Sequence, residues 1–180
     1  MERVFMREDL LRVFEEICNT GVATAGYTSG LCGEWVKERF DPVKKVVAIA
    51  HSGWVGTATR IAGKTVKKMV EEYQVRPEDI ICAMGPYNHS CCYEVGEDVR
   101  ERFREAFSDL ECDMFFQKKK EEEKYLLDLG AAISFTLQQE GVKTENIHDE
   151  GHCTYHTTTF SSWRRTGNKK HQILSYIMLN

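Results

Sequence analysis

Apolar residues recur at helical spacing in four segments of the chain. They predict amphipathic helices over 7–18, from Thr57 to Tyr73, over about 95–108, and through Leu126, Leu129, Ile133 and Leu137 to a stop at Gly141. Nearly continuous apolar runs predict buried strands at 46–50, 80–84 and 171–179. Because helices and strands mix without a strict βαβ rhythm, we expect a single α+β domain with a mixed β-sheet core covered by helices.

The segments between these elements are polar or rich in glycine. Glycines interrupt 19–33, and the run at 117–124 reads Gln-Lys-Lys-Lys-Glu-Glu-Glu-Lys. Such a charge run is typical of a solvated loop or a helix end. Residues 146–148 form a brief extended piece that leads into a stretch rich in histidine and cysteine.

Composition narrows the class of protein. The 180 residues carry a net charge of −4 and are 42% hydrophobic, which is ordinary for a globular domain. No basic stripe favours nucleic acid, no apolar run approaches the length of a membrane span, and the N-terminal residues show no apolar region of a signal peptide. We therefore expect a cytoplasmic protein whose seven cysteines are reduced and serve as small apolar residues, metal ligands or a nucleophile.

His51 stands at the end of the first predicted strand, where a fold often presents chemistry. The glycines of Gly53-Trp54-Val55-Gly56 allow a close backbone approach, and Thr57 is the predicted N-cap of the helix that follows. The free N–H groups of that helix would suit an anion. The alternative is a strand-turn-helix junction with a packed tryptophan and a hydrogen-bonded histidine.

A second strand, 80–84, also runs into a loop with reactive side chains. Residues 87–94 read Tyr-Asn-His-Ser-Cys-Cys-Tyr-Glu, so the two strand ends together predict one shared site. Within it, Cys92 is a candidate catalytic nucleophile with His51 or His89 as its base. The alternative is that one cysteine of this pair is simply buried.

The third cluster is Gly151-His152-Cys153-Thr154-Tyr155-His156. Imidazole and thiolate ligands suit zinc or copper. On a strand the adjacent His152 and Cys153 would point to opposite faces, so a local site would use one of them together with His156. A polar loop without metal is the alternative.

Two neighbouring arginines, Arg164 and Arg165, follow Trp163. A guanidinium can bind phosphate or carboxylate with two hydrogen bonds, which makes Arg164 a candidate catalytic residue. Arginines at a surface turn are the alternative interpretation.

Five ordered motifs resemble the laccase-domain family, also called multicopper polyphenol oxidoreductases. They are Ala-His-Ser-Gly-Trp-Val-Gly-Thr, Gly-Pro-x(4)-Cys-Cys-Tyr-Glu-Val-Gly-Glu-Asp-Val, Tyr-Leu-Leu-Asp-Leu, Glu-Asn-Ile-His, and Cys-Thr-Tyr-His followed by Phe-Ser-Ser-Trp-Arg-Arg. The resemblance covers about residues 41–180 and leaves 1–40 as a divergent N-terminal segment, as if the chain were shortened. It implies an α+β fold, and either copper-dependent oxidation of phenols or zinc-linked purine nucleoside phosphorolysis with adenosine deamination.

The resemblance also implies a metal ligand at His51, joined by an upstream histidine and cysteine. Residues 1–40 contain no histidine, and Cys32 lacks the expected Asp-Cys-x-Pro context. Val55 replaces a usual arginine, and His156 replaces a common second cysteine. The candidate metal ligands are therefore His51, His89, His152, Cys153 and His156.

These departures favour copper over zinc, and an oxidoreductase that oxidises small phenolic molecules. The alternatives are a zinc-linked purine nucleoside phosphorylase or adenosine deaminase, and an inactive family member. A homodimer is a further expectation.

Overall fold

The structure is a computed structural model that describes residues 46–119, 123–149, 151–167 and 173. The helix predicted over 7–18 and the glycine-rich segment 19–33 lie outside the described residues. The strand predicted over 171–179 also lies outside them, apart from residue 173.

Six α-helices occur in the described part of the chain. They are α1 (Trp54–Ala58), α2 (Ile61–Tyr73), α3 (Glu97–Arg104), α4 (Asp109–Phe115), α5 (Leu129–Gln139) and α6 (Trp163–Thr166). Short 3₁₀ turns at Pro77–Asp79 and Thr144–Asn146 precede two of the strands.

The described strands form two small sheets. Strands β1 (Cys82–Met84) and β5 (Ile147–Asp149) are parallel, with Cys82 opposite Ile147. Strands β2 (Glu94–Gly96), β3 (Phe116–Lys118) and β4 (Lys124–Leu127) are antiparallel in the order β2-β4-β3. The predicted α+β class with both strand directions is thus confirmed.

Several predicted elements begin or end at other residues. One helix predicted from Thr57 to Tyr73 is two helices, because Thr59 and the left-handed Arg60 (φ 56°) interrupt it. The helix predicted through Leu126 begins only at Leu129, since Asp128 caps it by accepting a hydrogen bond from the Ala131 N–H at 2.9 Å. It ends as predicted, and Gly141 adopts φ 90°.

The prediction of a loop or helix end at 117–124 is wrong for the part of this run that the structure describes. Its first residues belong to β3 and Lys124 opens β4. Lys118 and Lys124 are exposed on the antiparallel pair β3 and β4, whereas Tyr125 and Leu127 are buried beneath it. A strand with one wet face accounts for this pattern.

The core lies between the helices and the two sheets. Helices α2 and α5 pack against each other through Val66, Met69, Ile133 and Leu137, all of which are buried. Aromatic rings fill the other side, where Phe103 meets Phe116 edge-on at 5.0 Å and Phe107 meets Phe115 at 5.4 Å.

Residues 46–50, predicted as a strand, pair with no strand among the described residues. Val46 and Ala48 are partly buried against the core, whereas Ile49 is 47% exposed. Of the helices that the structure describes, none has both the length and the apolar content needed to cross a bilayer.

Candidate functional site

Two loops meet beyond the carboxyl ends of β1 and β5. Because these strands are parallel, their carboxyl ends lie at the same edge of the sheet. An isolated bridge between Tyr87 and Cys153 extends the pairing into both loops. The Tyr87 N–H donates to the His152 carbonyl at 3.2 Å, and the Thr154 N–H donates to the Tyr87 carbonyl at 2.9 Å. These bonds hold the loop after β1 against the loop after β5.

Each loop then turns sharply back on itself. In the first, the N–H groups of Cys92 and Tyr93 both donate to the His89 carbonyl, at 3.0 and 2.9 Å. In the second, the Thr157 N–H donates to the Cys153 carbonyl at 2.8 Å, which closes a turn containing His156. Both turns present sulfur or imidazole ligands to the space between the loops.

Four ligand atoms meet in that space, one each from Cys91, Cys92, Cys153 and His156, all within 4.8 Å of one another. Cys153 Sγ lies 3.3 Å from Cys92 Sγ and 3.9 Å from Cys91 Sγ. His156 Nδ1 lies 3.5 Å from Cys91 Sγ. This set of residues, called the Cys-His cluster below, ranges from a buried Cys153 to an exposed Cys91. Its chemistry fits a metal ion.

The three thiols of the cluster differ in acidity. Burial opposes ionisation of Cys153, but hydrogen bonds from the backbone of His89 and His156 and from the Cys92 side chain outweigh it and lower its pKa to about 6. Burial, followed by the hydrogen bond to Cys153, raises the pKa of both Cys91 and Cys92. Cys153 is therefore the cysteine whose thiolate the fold stabilises.

Cys91 and Cys92 are the two members of the cluster that the sequence analysis did not identify as metal ligands. The sequence offers Cys92 of this pair as a nucleophile, with burial of one cysteine as the alternative. On a strand, adjacent side chains point to opposite faces and would not meet at one ion. The turn at His89 removes that restriction. A cysteine pair after one strand and Cys-x-x-His after another would have been the available signal.

Among the described residues, the other two histidines of these loops lie outside the cluster. His89 stacks on Tyr87 with ring centroids 4.2 Å apart, and no hydrogen-bond partner is assigned to its buried Nε2. The His152 ring packs near Phe160, with centroids 5.9 Å apart. Cys153 and His156 are thus brought together, while His89 and His152 contact aromatic rings.

His51 is exposed and is not a member of the cluster. Its imidazole lies over Gly53, where an added Cβ would come within 3.1 Å of Nε2, so the glycine permits this placement. Thr57 is not an N-cap: α1 already begins at Trp54, and the buried Thr57 hydroxyl donates to the Ser52 carbonyl at 3.0 Å. This bond fixes the backbone immediately after His51.

The two arginines have different surroundings. Arg165 donates to the backbone carbonyls of Thr154, Tyr155 and Phe160, at 2.5, 3.0 and 2.5 Å. It therefore supports the second loop from within. Arg164 is exposed, and its guanidinium carbon lies 5.0 Å from the centroid of the Tyr93 ring.

A partly buried polar network connects both loops to β5. The Tyr87 hydroxyl donates to Asp149 Oδ2 at 2.5 Å, and the Gly151 N–H donates to Asp149 Oδ1 at 2.8 Å. Burial, then the bond to Asp149, raises the pKa of Tyr87. Asn88 Oδ1 accepts a hydrogen bond from the Thr154 hydroxyl at 2.8 Å. No sequence pattern indicated the pairing of Tyr87 with Asp149 or of Asn88 with Thr154, since the members of each pair are more than 60 positions apart in the chain.

Curated proteins similar to this chain bear the names of enzymes that act on nucleosides. A purine nucleoside phosphorylase of Bacteroides thetaiotaomicron is 32% identical over 142 residues, which are 78% of this chain and 52% of the relative. The adenosine deaminase RL5, from an unknown prokaryotic organism, is 36% identical over 124 residues, or 68% of this chain and 46% of the relative. The chain thus spans about half the length of these relatives.

We expected a laccase-like copper enzyme that oxidises phenols. The names of these relatives contradict that expectation, and it is wrong. That expectation depended on the accumulation of histidine and cysteine in the C-terminal half of the chain. Such ligands specify that a metal can bind, but they do not specify the reaction.

Solved structures and a family model agree on the fold. The crystal structure of YlmD from Geobacillus stearothermophilus matches with a TM-score of 0.60 and 31% identity over 68% of this chain and 45% of that one. The sequence model described as "Multi-copper polyphenol oxidoreductase laccase" matches residues 39–180. The chain therefore belongs to the multi-copper polyphenol oxidoreductase laccase family.

Proposed function

We propose that this chain takes part in the cleavage of purine nucleosides by phosphate. The single observation that carries the proposal is the 32% identity over 142 residues to a protein named purine nucleoside phosphorylase. Other relatives with the same name, from Bacillus subtilis and Clostridium acetobutylicum, support it. The substrate is accordingly a small molecule of the purine nucleoside class.

The reaction requires an anion site and a proton donor. A phosphate oxygen forms a bond to ribose C1′ while the bond from C1′ to purine N9 breaks, and the departing purine takes up a proton. No electrons are transferred, so this activity gives no reason to invoke copper. Of the three metal ligands that the family resemblance implies, only His51 has a counterpart in this sequence. Residues 1–40 do not supply the other two, and we assign no step to that metal.

Two exposed side chains of this chain suit the requirements. Arg164 has an exposed guanidinium beside Tyr93, and a guanidinium binds phosphate oxygens in pairs. His51 carries an exposed imidazole, the side chain best suited to move a proton near neutral pH. We assign phosphate binding to Arg164 and protonation of the departing purine to His51. Cys92 has no role in this reaction, because its thiol faces the Cys-His cluster.

The proposal is tested by chromatography of the products from inosine and from adenosine, each with and without phosphate. Phosphorolysis predicts hypoxanthine from inosine only when phosphate is present. The second candidate, adenosine deamination, is favoured by the 36% identity to adenosine deaminase RL5 and predicts inosine from adenosine without phosphate.

Variants assign the residues in the same assay. We expect Arg164→Ala and His51→Gln to lower product formation at least tenfold. The matched control is Arg102→Ala, which removes an exposed arginine paired with Glu105 on α3 and should leave the rate unchanged. Absence of any product from either nucleoside overturns the proposal.

A further inference from the structure

We propose that Cys91, Cys92, Cys153 and His156 bind one zinc ion in a closed, four-coordinate structural site that ties the loop after β1 to the loop after β5. The inference does not depend on the proposed function. It assigns to the metal a place and a role separate from His51, and it assigns all four ligands to this chain.

Two separations among the four ligand atoms are close to those of tetrahedral zinc, and all four atoms lie within 4.8 Å of one another. Bonds of about 2.3 Å to sulfur and about 2.0–2.1 Å to nitrogen place ligand sulfurs roughly 3.8 Å apart, and sulfur and nitrogen roughly 3.6 Å apart. In the structure the separations are 3.9 Å from Cys91 Sγ to Cys153 Sγ and 3.5 Å from Cys91 Sγ to His156 Nδ1. The separation from Cys92 Sγ to Cys153 Sγ is shorter, 3.3 Å, and a small movement of one side chain accommodates the ion.

The donor set also selects the metal. Three thiols and one imidazole form one of the standard closed sets of structural zinc sites, and tetrahedral sulfur-rich geometry distinguishes zinc from the oxygen-preferring cations. A closed set leaves no position for water or substrate, so the ion has a structural role. The copper expected from the sequence is therefore replaced here by zinc.

Hydrogen bonds around the cluster hold the ligand side chains and the two loops in position. The backbone of His89 and of His156 donates hydrogen bonds to Cys153 Sγ, and such bonds orient a ligand and reduce the charge on its sulfur. The bridge between Tyr87 and Cys153 fixes the distance between the two loops. Cys92 and Cys153 therefore approach each other from backbone that is already hydrogen-bonded.

A disulfide explains the cluster less well. A bond between Cys92 and Cys153 would need a sulfur separation near 2.05 Å, and it would leave Cys91 and His156 with no function in the group. The five cysteines in the described part of the chain are all free thiols. One zinc ion engages every member of the cluster.

The test is elemental analysis of the full chain purified with reductant and without chelator. We expect about one zinc per chain, with loss of at least four-fifths of it in Cys91→Ser, Cys153→Ser and His156→Ala. Cys112→Ala, which removes a buried core thiol, and His152→Ala, which removes the neighbouring imidazole, are the matched controls and should retain zinc. His51→Ala should retain it too, which separates this site from the proposed activity.

A second measurement keeps the test decisive where a variant fails to fold. Cobalt(II) replaces zinc in the metal-free wild-type chain, and we expect intense visible bands of a tetrahedral ion with charge-transfer bands from thiolate. Absence of these bands, loss of zinc in His51→Ala but not in Cys153→Ser, copper or iron in place of zinc, or a disulfide between Cys92 and Cys153 in reductant would each overturn the proposal.

Discussion

The Sγ atoms of Cys92 and Cys153 lie 3.3 Å apart although 61 residues separate them in the chain. The approach follows from the parallel pairing of β1 with β5, which places the loops after both strands at one edge. The bridge between Tyr87 and Cys153 then sets the register. A metal at this point would couple the folding of two distant segments, because a closed site binds only when both are in place.

The hydrogen bond from Tyr87 to Asp149 should be worth measuring by itself. Tyr87 is buried, and removal of its hydroxyl loses a 2.5 Å bond to a carboxylate. We expect Tyr87→Phe to lower the free energy of unfolding by about 1–2 kcal/mol in urea denaturation. Tyr155→Phe, at an exposed ring, is the control and should change it by less than about 0.5 kcal/mol. Equal effects of the two variants would show that the bond contributes nothing.

Gly130 is required beside that bond. A Cβ at this position would lie 2.0 Å from the Tyr87 hydroxyl oxygen and 2.9 Å from Cζ. Gly130→Ala should therefore lower the free energy of unfolding by about 3 kcal/mol, because the tyrosine must move. The Tyr87→Phe substitution removes the closest atom. In urea denaturation the double variant should therefore lose less free energy of unfolding than the sum of the losses in the two single variants. An additive result would exclude the contact as the cause.

Substitution of Arg164 and of Arg165 should lower the free energy of unfolding by different amounts. Arg165→Ala leaves the carbonyls of Thr154, Tyr155 and Phe160 without their donor, so we expect a loss of about 2–3 kcal/mol. Arg164→Ala removes only an exposed contact with Tyr93 and should cost about 0.5–1 kcal/mol. The measurement is chemical denaturation of both variants. A larger loss in Arg164→Ala would contradict the assigned roles.

The ion pairs of Glu94 should make the stability of the folded state depend on pH. Its carboxylate accepts hydrogen bonds from Lys119 at 2.5 Å and Lys124 at 2.7 Å, and these bonds lower its pKa from an ordinary 4.5 to about 2. A lowered pKa stabilises the folded state fully above pH 4.5, and that contribution disappears as the pH falls towards 2.

Glu94→Gln should consequently lower Tm at pH 7, and the difference from the wild type should shrink steadily between pH 4.5 and about 2. Thermal unfolding followed by circular dichroism across this range measures it. Glu101→Gln, at an exposed position of α3, is the control and should show no such trend. A Tm difference that is constant with pH would contradict the ion pairs as its source.

The long amphipathic elements could be predicted because their patterns are local. The stripe from Ala62 to Tyr73 gave α2, and Ile133 and Leu137 with the left-handed Gly141 gave the body and end of α5. The strand at 80–84 was found for the same reason and is shorter than expected, at Cys82–Met84. The start of a helix was mispredicted where a capping side chain determines it, as Asp128 does for α5.

The short hairpin and the Cys-His cluster could not be predicted in the same way. Strands β2, β3 and β4 have three or four residues each, too few for an alternation to be recognised, and their pairing is a tertiary contact. Cys91 is brought beside Cys153 and His156 by the turn at His89, and this approach is a tertiary contact between the two loops. Likewise, Arg165 looked like an anion site in sequence, because no local pattern reveals which carbonyls a guanidinium will reach.

Phosphorus NMR tests the proposed activity most directly, because it follows the phosphate itself. The wild-type chain is incubated with inosine and inorganic phosphate, and the account predicts that a resonance of ribose 1-phosphate grows as that of free phosphate declines. Without inosine, the phosphate resonance should stay constant. A phosphate resonance that stays constant with inosine present, whether or not the nucleoside is consumed, would contradict the claim that this chain cleaves purine nucleosides with phosphate.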